Sequence, residues 1–590
     1  LPKPHRFQSS DLYKVMEGAA LLLMENPNPG LESRIDSIVD IIARAQKKDG
    51  YLYVAHTTGV SKDHDHFNGR GMGDKPYSFV FHSHELYNMG HMYEGAIAYY
   101  RATGKDKWLK VAEKNAQHIN KVFFEGDPNY NDGKPVNQAP GHQELELALA
   151  KLYRVTGNEL YLDMAKKFLD IRGVTYVPEG KGVLSAAYAQ QHKPVTAQRE
   201  AVGHSVRAMY LYSGMADVGA LKGVDDYNQA LTSIWSNLVN TKMSITGGVG
   251  AIHGIEGFGP EYVLPNKEAY NETCANLCNA MFSYRMLGVN GQSKYADIIE
   301  LVLLNSGLSG ISIEGKDYFY ANPLRMVHNT RKYKAHENDT ETPEREPYLE
   351  CFCCPPNLVR TIAKVSKWAY SLSKNGFAVN LYGGNVLNTK LADSSTLKLT
   401  QTTQYPWNGA VNIRIDECKS TAFEALLRIP DWASGTTVSV NGENIEGVKA
   451  GQFLTIERIW KAGDIILIEM PMDIHLVEGH PRIEEVRNQV AIKRGPFVYC
   501  IETPDLPEGA NILDVYIDGN EELTAKHQAD FLGGITTIEG NLLIRSNDGN
   551  GMYRTVSKPN FESYKTQFVP YFAWSNRGLA EMTVFVPVIW

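Results

Sequence analysis

The sequence has few features of a membrane, nucleic-acid-binding or disulfide-stapled protein. Its longest apolar run near the start, residues 18–24, is far too short to span a bilayer and is typical of a buried helix face. Seven cysteines in 590 residues, an odd number, argue against a disulfide framework. With 59 basic and 67 acidic residues the formal net charge is −8, and no basic block is dense enough for nucleic acid. These absences favour a neutral small-molecule substrate, with no membrane span and no nucleic-acid partner.

The chain is long and has an ordinary apolar content, so several domains are expected. A length of 590 residues exceeds what one hydrophobic core normally organises, and 43% of the residues are hydrophobic. No low-complexity linker interrupts the sequence, which predicts domains that pack directly on one another. The first residue is Leu1 rather than Met. We take this as a sign of a removed leader and expect a periplasmic or secreted protein.

The first part of the chain, residues 1–372, is predicted to be a helical domain. Apolar residues recur there at spacings of three and four between Gly, Asn and Pro breaks. A Gly-His pair leads a helix that ends in Tyr-Arg-x-Thr-Gly over residues 90–104, and the same pattern recurs over 141–157. A repeat of this length indicates paired helices arranged as a toroid or solenoid.

After residue 372 the pattern changes to that of β-structure. Short alternating runs such as 377–382 and 411–415 are separated by turn residues, including Asn441-Gly442. We therefore predict a multidomain α+β protein in which the helical domain is followed by one or two β-sandwiches. The first sandwich is assigned to 373–480, and 481–590 forms either a second sandwich or an extension of the first.

Three histidines and one glutamate recur about one repeat apart. His91, His142 and His204 each follow a glycine, and Glu256 lies at a similar distance beyond His204. In a closed array of helical hairpins, residues one repeat apart can converge on one cavity, so these four are candidate site residues. The alternative is that Gly-His only marks helix starts, with the histidine capping a neighbour. Glu261 is the nearby rival of Glu256, and a solvated charge is the simplest reading of either.

Two short segments carry a candidate metal site. Glu272 and Cys274 point the same way if the backbone is extended, and Cys353 and Cys354 can share an ion through a sharp turn that the following prolines favour. One carboxylate and three thiolates suit tetrahedral zinc rather than calcium or magnesium. A purely structural zinc site and a disulfide between the two adjacent cysteines are the alternatives.

Several of these segments resemble the signature of glycoside hydrolase family 127, the bacterial β-L-arabinofuranosidases. The matching segments are Thr246–Gly250, Glu256, Leu264–Asn266, Tyr270–Cys274, Cys353–Asn357, Gly141–Glu144, Ala201–His204 and Phe319–Pro323. The resemblance covers roughly residues 80–372 with its landmarks in order. It is most specific where the Glu-Thr-Cys and Cys-Cys-Pro-Pro motifs occur together.

The resemblance implies an (α/α)6 barrel followed by β-sandwiches, and an exo-acting retaining hydrolase that releases terminal β-L-arabinofuranose from plant-derived glycans. It implies roles for nine positions: zinc ligands Glu272, Cys274, Cys353 and Cys354; nucleophile Cys353; general acid/base Glu256; and sugar contacts His91, His142, His204 and Tyr320. An acid at neutral pH needs a raised pKa, and we expect Ile255 and Phe258 to raise the pKa of Glu256 by desolvation.

Other functions remain open at this point. The same mechanism could act on another rare pectin furanose such as aceric acid, for which Arg325 is a candidate cationic contact. A helical-barrel enzyme could instead use paired carboxylates drawn from Glu144, Glu146 and Glu256. A non-catalytic glycan-binding protein with a structural zinc is the non-enzymatic alternative. The remaining thiols near the motifs, Cys278 and Cys351, are expected to be inert, and a homodimer is possible although no motif indicates one.

Overall fold

A computed structural model describes residues 6–58, 72–327, 344–349, 351–546, 552–553 and 555–590. The chain divides into two compact units. The first unit comprises Leu1–Met243, Ile252–Glu261 and Glu350–Lys364, and the second comprises Ser244–Ala251, Tyr262–Leu349 and Val365–Trp590. None of the described helices is long and apolar enough to cross a membrane.

Thirteen α-helices are found in the described residues, all before residue 369. They are α1 Gln8–Glu25, α2 Pro29–Ala45, α3 Val54–Thr57, α4 Glu85–Thr103, α5 Lys107–Asn120, α6 Leu145–Thr156, α7 Glu159–Ile171, α8 Ser205–Lys222, α9 Asp225–Thr241, α10 Thr273–Asn290, α11 Ser293–Val302, α12 Cys354–Ile362 and α13 Val365–Trp368. Of these, α10, α11 and α13 belong to the second unit.

The helices of the first unit are built as hairpins from a repeated local pattern. Helices α4, α6 and α8 each end at a glycine in the left-handed region, namely Gly104, Gly157 and Gly223. Glycine reverses the chain there without steric cost, and α5, α7 and α9 follow within a few residues. The repeated Tyr-Arg-x-Thr-Gly motif is therefore the end of the first helix of a hairpin.

Twenty-two strands are found in the described residues. They are β1 Gly203–His204, β2 Gly257–Phe258, β3 Arg325–Met326, β4 Tyr370–Leu372, β5 Gly376–Val379, β6 Asn385–Lys390, β7 Thr396–Thr403, β8 Ala410–Cys418, β9 Ala422–Ile429, β10 Thr437–Val440, β11 Glu443–Asn444, β12 Gln452–Ile459, β13 Ile465–Glu469, β14 Ile474–Glu478, β15 Gln489–Arg494, β16 Phe497–Glu502, β17 Val515–Asp518, β18 Thr524–Gln528, β19 Ile535–Arg545, β20 Phe561–Pro570, β21 Met582–Thr583 and β22 Val586–Ile589. The predicted mixed helix-and-sheet, multidomain architecture is confirmed.

In the second unit, two sheets share one apolar core. One sheet has the order β11-β10-β13-β8-β7-β6 and the other β12-β9-β5-β4. Alternate residues of β8, such as Val411 and Ile413, and of β9, such as Ala425 and Leu427, are fully buried in that core. The period of two places one face of each strand inside, which is the pattern of a β-sandwich.

The rest of the second unit contains a ten-stranded sheet. Its order is β14-β15-β22-β17-β19-β20-β16-β21-β3, with β18 paired to β19. Strand β3 joins through β21, where Met326 pairs with Met582. Two strands of this sheet, β3 and β14, lie before residue 480, outside the segment 481–590 that was assigned to the last domain.

Candidate functional site

In the first unit, histidines and a tyrosine from three helical hairpins form a compact group, here called the histidine cluster: His84, Tyr87, His91, His142 and His204. The ring of His142 lies 5.3 Å from His84 and 5.6 Å from His204. Tyr87 lies 4.1 Å from His142 and stands perpendicular to His91 at 4.6 Å. The three histidines predicted one repeat apart thus meet in space.

The Gly-His pairs differ in their relation to helix starts, and all three involve close packing. His204 is the N-cap of α8, and its side chain accepts from the backbone N–H of Arg207 at 3.4 Å, as the capping alternative predicted. His91 lies inside α4, so the prediction that this pair leads a helix is wrong there. A Cβ on Gly203, whose φ is +71°, would lie 2.0 Å from the carbonyl oxygen of Ala187. A Cβ on Gly141 would lie 1.8 Å from the carbonyl oxygen of Phe81. Glycine therefore allows the backbone to bring His142 and His204 against neighbouring segments.

The imidazoles of the cluster are held in the neutral form. Burial lowers the pKa values of His91 and His142 well below the ordinary range, and the charges of Lys14 and Arg207, respectively, act in the same direction. Burial also lowers the pKa of His204, even though its partner Glu256 opposes that shift. A neutral imidazole offers one donor and one acceptor, which suits the hydroxyl groups of a sugar.

Glu256 is fixed next to the cluster by a short two-stranded sheet. Strand β2, which follows Glu256, pairs with β1 so that Gly257 faces His204. The Glu256 carbonyl accepts from the backbone N–H of Ser205 at 3.0 Å and from its hydroxyl at 2.9 Å. Its carboxylate oxygen Oε2 lies 3.1 Å from Nε2 of His204. With φ at +49°, Glu256 has the left-handed backbone that non-glycine residues adopt rarely and often at functional sites.

The expected raised pKa of Glu256 is not found. Burial alone would raise it, but the hydrogen bond with His204 and the positive charge of Arg207 outweigh burial and lower the pKa below its usual value. The Glu256 side chain is also 37% exposed, so desolvation by Ile255 and Phe258 is incomplete. The rival, Glu261, is exposed and accepts a hydrogen bond from Asn237 at 2.8 Å.

The cysteine motif of the first unit forms the start of α12. Cys353 is the N-cap residue, Cys354 is the first helical residue, and proline follows where its missing N–H costs nothing. The sulfur atoms of Cys353 and Cys354 lie 3.8 Å apart, and that of Cys351 lies 3.9 Å from Cys353. None of the seven cysteines forms a disulfide in the structure, so the alternative of a disulfide between Cys353 and Cys354 is absent.

In the second unit, Glu272 and Cys274 flank the start of α10. Glu272 is the N-cap and Thr273 the first helical residue, so the backbone is not extended through this motif as the sequence argument assumed. Asn322 donates to the Asn271 carbonyl and to the Thr273 hydroxyl, each at 2.9 Å. Glu272 and Cys274 are 2% and 1% exposed, and Cys278 is buried one turn further along α10.

Tyr320 and Arg325 also belong to the second unit. The Tyr320 carbonyl accepts from the N–H of Thr273 at 2.9 Å, which joins its segment to the Glu272 motif. The Arg325 guanidinium donates to Thr583 at 3.2 Å and to Gln489 at 2.8 Å. These two bonds commit Arg325 to the ten-stranded sheet, so it is not a free cation for an acidic sugar.

Sequence reasoning missed three members of this region: His84, Tyr87 and Arg207. Tyr87 precedes His91 by one helical turn and Arg207 follows His204 by three residues, so helical spacing from the predicted histidines could have found both. The Arg207 guanidinium is 2% exposed and lies 4.8 Å from the centre of the Tyr188 ring. Its positive charge helps to keep the neighbouring histidines neutral.

The first unit thus places a carboxylate, Glu256, beside a cluster of neutral imidazoles, an arrangement that suits an enzyme acting on a polar, uncharged substrate. Within the first unit, the adjacent thiols of Cys353 and Cys354 are candidate metal ligands, and within the second unit the buried Glu272 carboxylate and Cys274 thiol are candidate ligands. Family models of glycoside hydrolase family 127 match the chain throughout: the β-L-arabinofuranosidase catalytic domain over residues 3–367, the middle domain over 376–472 and the C-terminal domain over 474–587. The chain belongs to this family and is a glycoside hydrolase.

Individual relatives agree with this assignment over nearly the whole chain. The non-reducing end β-L-arabinofuranosidase of Bifidobacterium longum subsp. longum is 34% identical, covering 98% of this chain and 89% of that protein. The crystal structure of a family 127 β-L-arabinofuranosidase from Geobacillus stearothermophilus T6 is similar with a TM-score of 0.90 at 35% identity, covering 99% of this chain and 91% of that one. A further family 127 β-arabinofuranosidase structure has a TM-score of 0.89 at 37% identity, covering 99% and 88%.

Proposed function

We propose that this protein is an exo-acting, retaining glycoside hydrolase that releases terminal β-L-arabinofuranose from plant-derived glycans. The sugar follows from the named activities of relatives that are 34% and 35% identical over nearly the full chain. The observation that carries the catalytic part is the 3.8 Å separation of the Cys353 and Cys354 sulfur atoms.

The proposed cofactor is one zinc ion held by Glu272, Cys274, Cys353 and Cys354. Two thiolates of a tetrahedral zinc, each about 2.3 Å from the metal, lie about 3.8 Å from one another. The Cys353 and Cys354 sulfurs have this separation, and three soft thiolates favour zinc over calcium or magnesium. When bound, zinc would keep the Cys353 sulfur deprotonated at neutral pH.

In the proposed first step, the Cys353 sulfur attacks the anomeric carbon and the glycosidic C–O bond breaks. Glu256 gives its proton to the departing oxygen, which leaves a sugar bonded to sulfur. In the second step the Glu256 carboxylate takes a proton from water, the water oxygen bonds to the anomeric carbon, and the C–S bond breaks to restore the Cys353 thiolate. The lowered pKa of Glu256 favours the carboxylate form that the second step needs, so the first step requires Glu256 to take up a proton before it acts as the acid.

Sugar binding is assigned to His91, His142 and His204, with Tyr320 as a further contact. The neutral imidazoles can both donate to and accept from sugar hydroxyls, and a neutral furanose brings no charge into their buried surroundings. His204 has the additional role of holding the Glu256 carboxylate at 3.1 Å.

No observation favours the other functions. An acidic furanose needs a cationic contact, and the guanidinium of Arg325 is committed to Thr583 and Gln489. A mechanism with paired carboxylates is opposed by Glu146, which is bound to the buried Arg172 at 2.9 Å.

We also propose a domain architecture and a cellular location for the protein. Residues 1–372 are proposed to form an (α/α)6 barrel, followed by sandwich domains over 373–480 and 481–590. A periplasmic or secreted location fits an enzyme for plant glycans, which are too large to enter a cell intact. We also propose that the protein is a homodimer, which light scattering in solution would test.

The test is sugar release from a panel of β-L-arabinofuranosides and acidic furanosides, with zinc measured in every sample. The parent is compared with Cys353→Ser and Glu256→Gln. Release of arabinose by the parent, with loss of turnover in both folded variants, would support the proposal. If the parent cleaves only acidic furanosides, the proposed mechanism stands but the substrate is a different sugar. If Cys353→Ser keeps zinc and nearly full activity, the nucleophile is misassigned and the metal is structural.

A further inference from the structure

A buried ionic group lies behind the cysteine motif in the first unit. Its centre is Arg360 on α12, whose guanidinium is 1% exposed. It donates to Glu17 of α1 at 3.1 Å, to Glu94 of α4 at 2.8 Å and to Tyr210 of α8 at 2.7 Å. One side chain of α12 is thereby bonded to three other helices.

The same guanidinium is also bonded to the first turn of its own helix. Its Nε donates to the side-chain oxygen of Asn357 at 2.7 Å. The backbone N–H of Asn357 in turn donates to the Cys353 carbonyl at 3.4 Å. Two successive hydrogen bonds therefore connect Arg360 to the residue that carries the proposed nucleophile.

Tyr210 extends the connection to the histidine cluster. Its hydroxyl lies 3.3 Å from the Asn357 side-chain oxygen, and its ring is 5.7 Å from the ring of His91 and 6.1 Å from that of His142. The contact between His91 and Tyr210 is edge to face, an orientation that fixes the two rings relative to one another.

The charges around Arg360 make this arrangement rigid. Glu17 also pairs with Lys364 at 2.5 Å, and Glu94 also pairs with Lys151. An arrangement that separates any of these partners would leave a buried charge uncompensated, which is costly. The members of the network are therefore held in a single arrangement. Close contact of the helices adds to this, because a Cβ on Gly18 of α1 would lie 2.6 Å from the Val359 side chain of α12.

We propose that Arg360 is a positioning residue for catalysis: through Asn357 it fixes the start of α12 that presents Cys353, and through Tyr210 it ties that start to His91 and His142. This inference rests on the proposed role of Cys353 as nucleophile. Arg360 itself contacts neither sugar nor the reacting atoms. Lysine cannot replace it, since an ammonium lacks the planar fork that bonds Asn357, Glu94 and Tyr210 at once.

The variant Arg360→Lys tests the proposal, with Arg428→Lys as the matched control. Arg428 is likewise fully buried and pairs with carboxylates, Asp297 and Glu300, but it belongs to the sandwich of the second unit. Both variants are assayed for kcat, KM, zinc content and Tm on the glycoside that the parent cleaves. Cys353→Ser is run beside them, so that a wrong nucleophile is detected independently of the outcome for Arg360.

We expect Arg360→Lys to lower kcat roughly 10- to 100-fold, since a displacement of about 1 Å at the reacting group can cost 100-fold. Arg428→Lys is expected to lower Tm but to change kcat less than about twofold. Equal kcat values for the two variants, measured at the same interval below each Tm, would overturn the proposal. If Arg360→Lys does not fold, Tyr210→Phe is the decisive variant, because it keeps the ring but lacks the hydroxyl that bonds Arg360. An unchanged kcat in Tyr210→Phe would overturn the proposal.

Discussion

The stability of the first unit should fall as pH rises through the range in which Glu85 ionises. Glu85 is 2% exposed and accepts hydrogen bonds from the Tyr51 hydroxyl at 2.6 Å and from the Tyr77 backbone N–H at 3.1 Å. Burial outweighs these bonds and raises its pKa from 4.5 to about 7. In the unfolded chain the carboxyl returns to its ordinary value.

The sign of the effect follows from proton binding. Below pH 4.5 both states of Glu85 are protonated, and between 4.5 and about 7 only the folded state keeps its proton. Stability therefore decreases with rising pH across that window and the loss is complete above it. A shift from 4.5 to about 7 corresponds to about 3 kcal/mol.

The variant Glu85→Gln removes this titration and keeps a similar shape. Its stability relative to the parent should increase by about 3 kcal/mol between pH 4.5 and pH 7.5, which is about 6 °C in Tm for a unit of this size. Tm is measured by differential scanning fluorimetry across that range for both proteins. The two proteins are compared by the change of Tm with pH and not by Tm at one pH. The glutamine amide also faces the Tyr77 N–H, which can shift Tm by an amount that does not depend on pH.

Tyr51→Phe provides the complementary perturbation. It removes the hydroxyl that donates to Glu85, and so should raise the pKa of Glu85 further. The loss of stability with rising pH should therefore be larger in this variant than in the parent. A constant Tm difference between Glu85→Gln and the parent over the whole range would refute the reasoning.

Three further predictions concern side chains near the site. Cys351→Ser should keep bound metal and at least half of the parent activity, whereas loss of metal would make Cys351 a ligand in place of Cys353. Glu144→Gln should change kcat/KM less than about threefold, because burial raises the pKa of this carboxyl, 3.2 Å from His91, and so favours the neutral form that glutamine resembles. A loss of roughly 100-fold or more would indicate that Glu144 acts as a catalytic carboxylate. Arg325→Met should lower Tm and leave the ratio of kcat/KM for neutral and acidic furanosides unchanged, and a selective loss on acidic substrates would contradict this.

The periodicity of the sequence was enough to predict a helical part followed by β-structure, and to make His91, His142 and His204 candidates for one cavity. It did not predict β3, which lies in the helical part of the sequence and joins the ten-stranded sheet. A repeated hairpin places equivalent positions in equivalent surroundings, so spacing along the chain translates into proximity. What spacing could not show was why glycine precedes these histidines. That requires the neighbouring backbone, such as the Ala187 carbonyl that leaves no room for a Cβ at Gly203.

The direction of the pKa shift of Glu256 could not be predicted from its neighbours along the chain. Apolar neighbours along the chain, Ile255 and Phe258, suggested desolvation alone and hence a raised value. Folding buries a carboxyl among residues that are distant in sequence, and here these are His204 and Arg207, whose hydrogen bond and charge reverse the direction. At Glu256 the partners outweigh burial and decide the sign of the pKa shift, whereas at Glu85 burial outweighs the partners. The same repeat that brought His204 to Glu256 therefore also set the protonation state of that carboxylate.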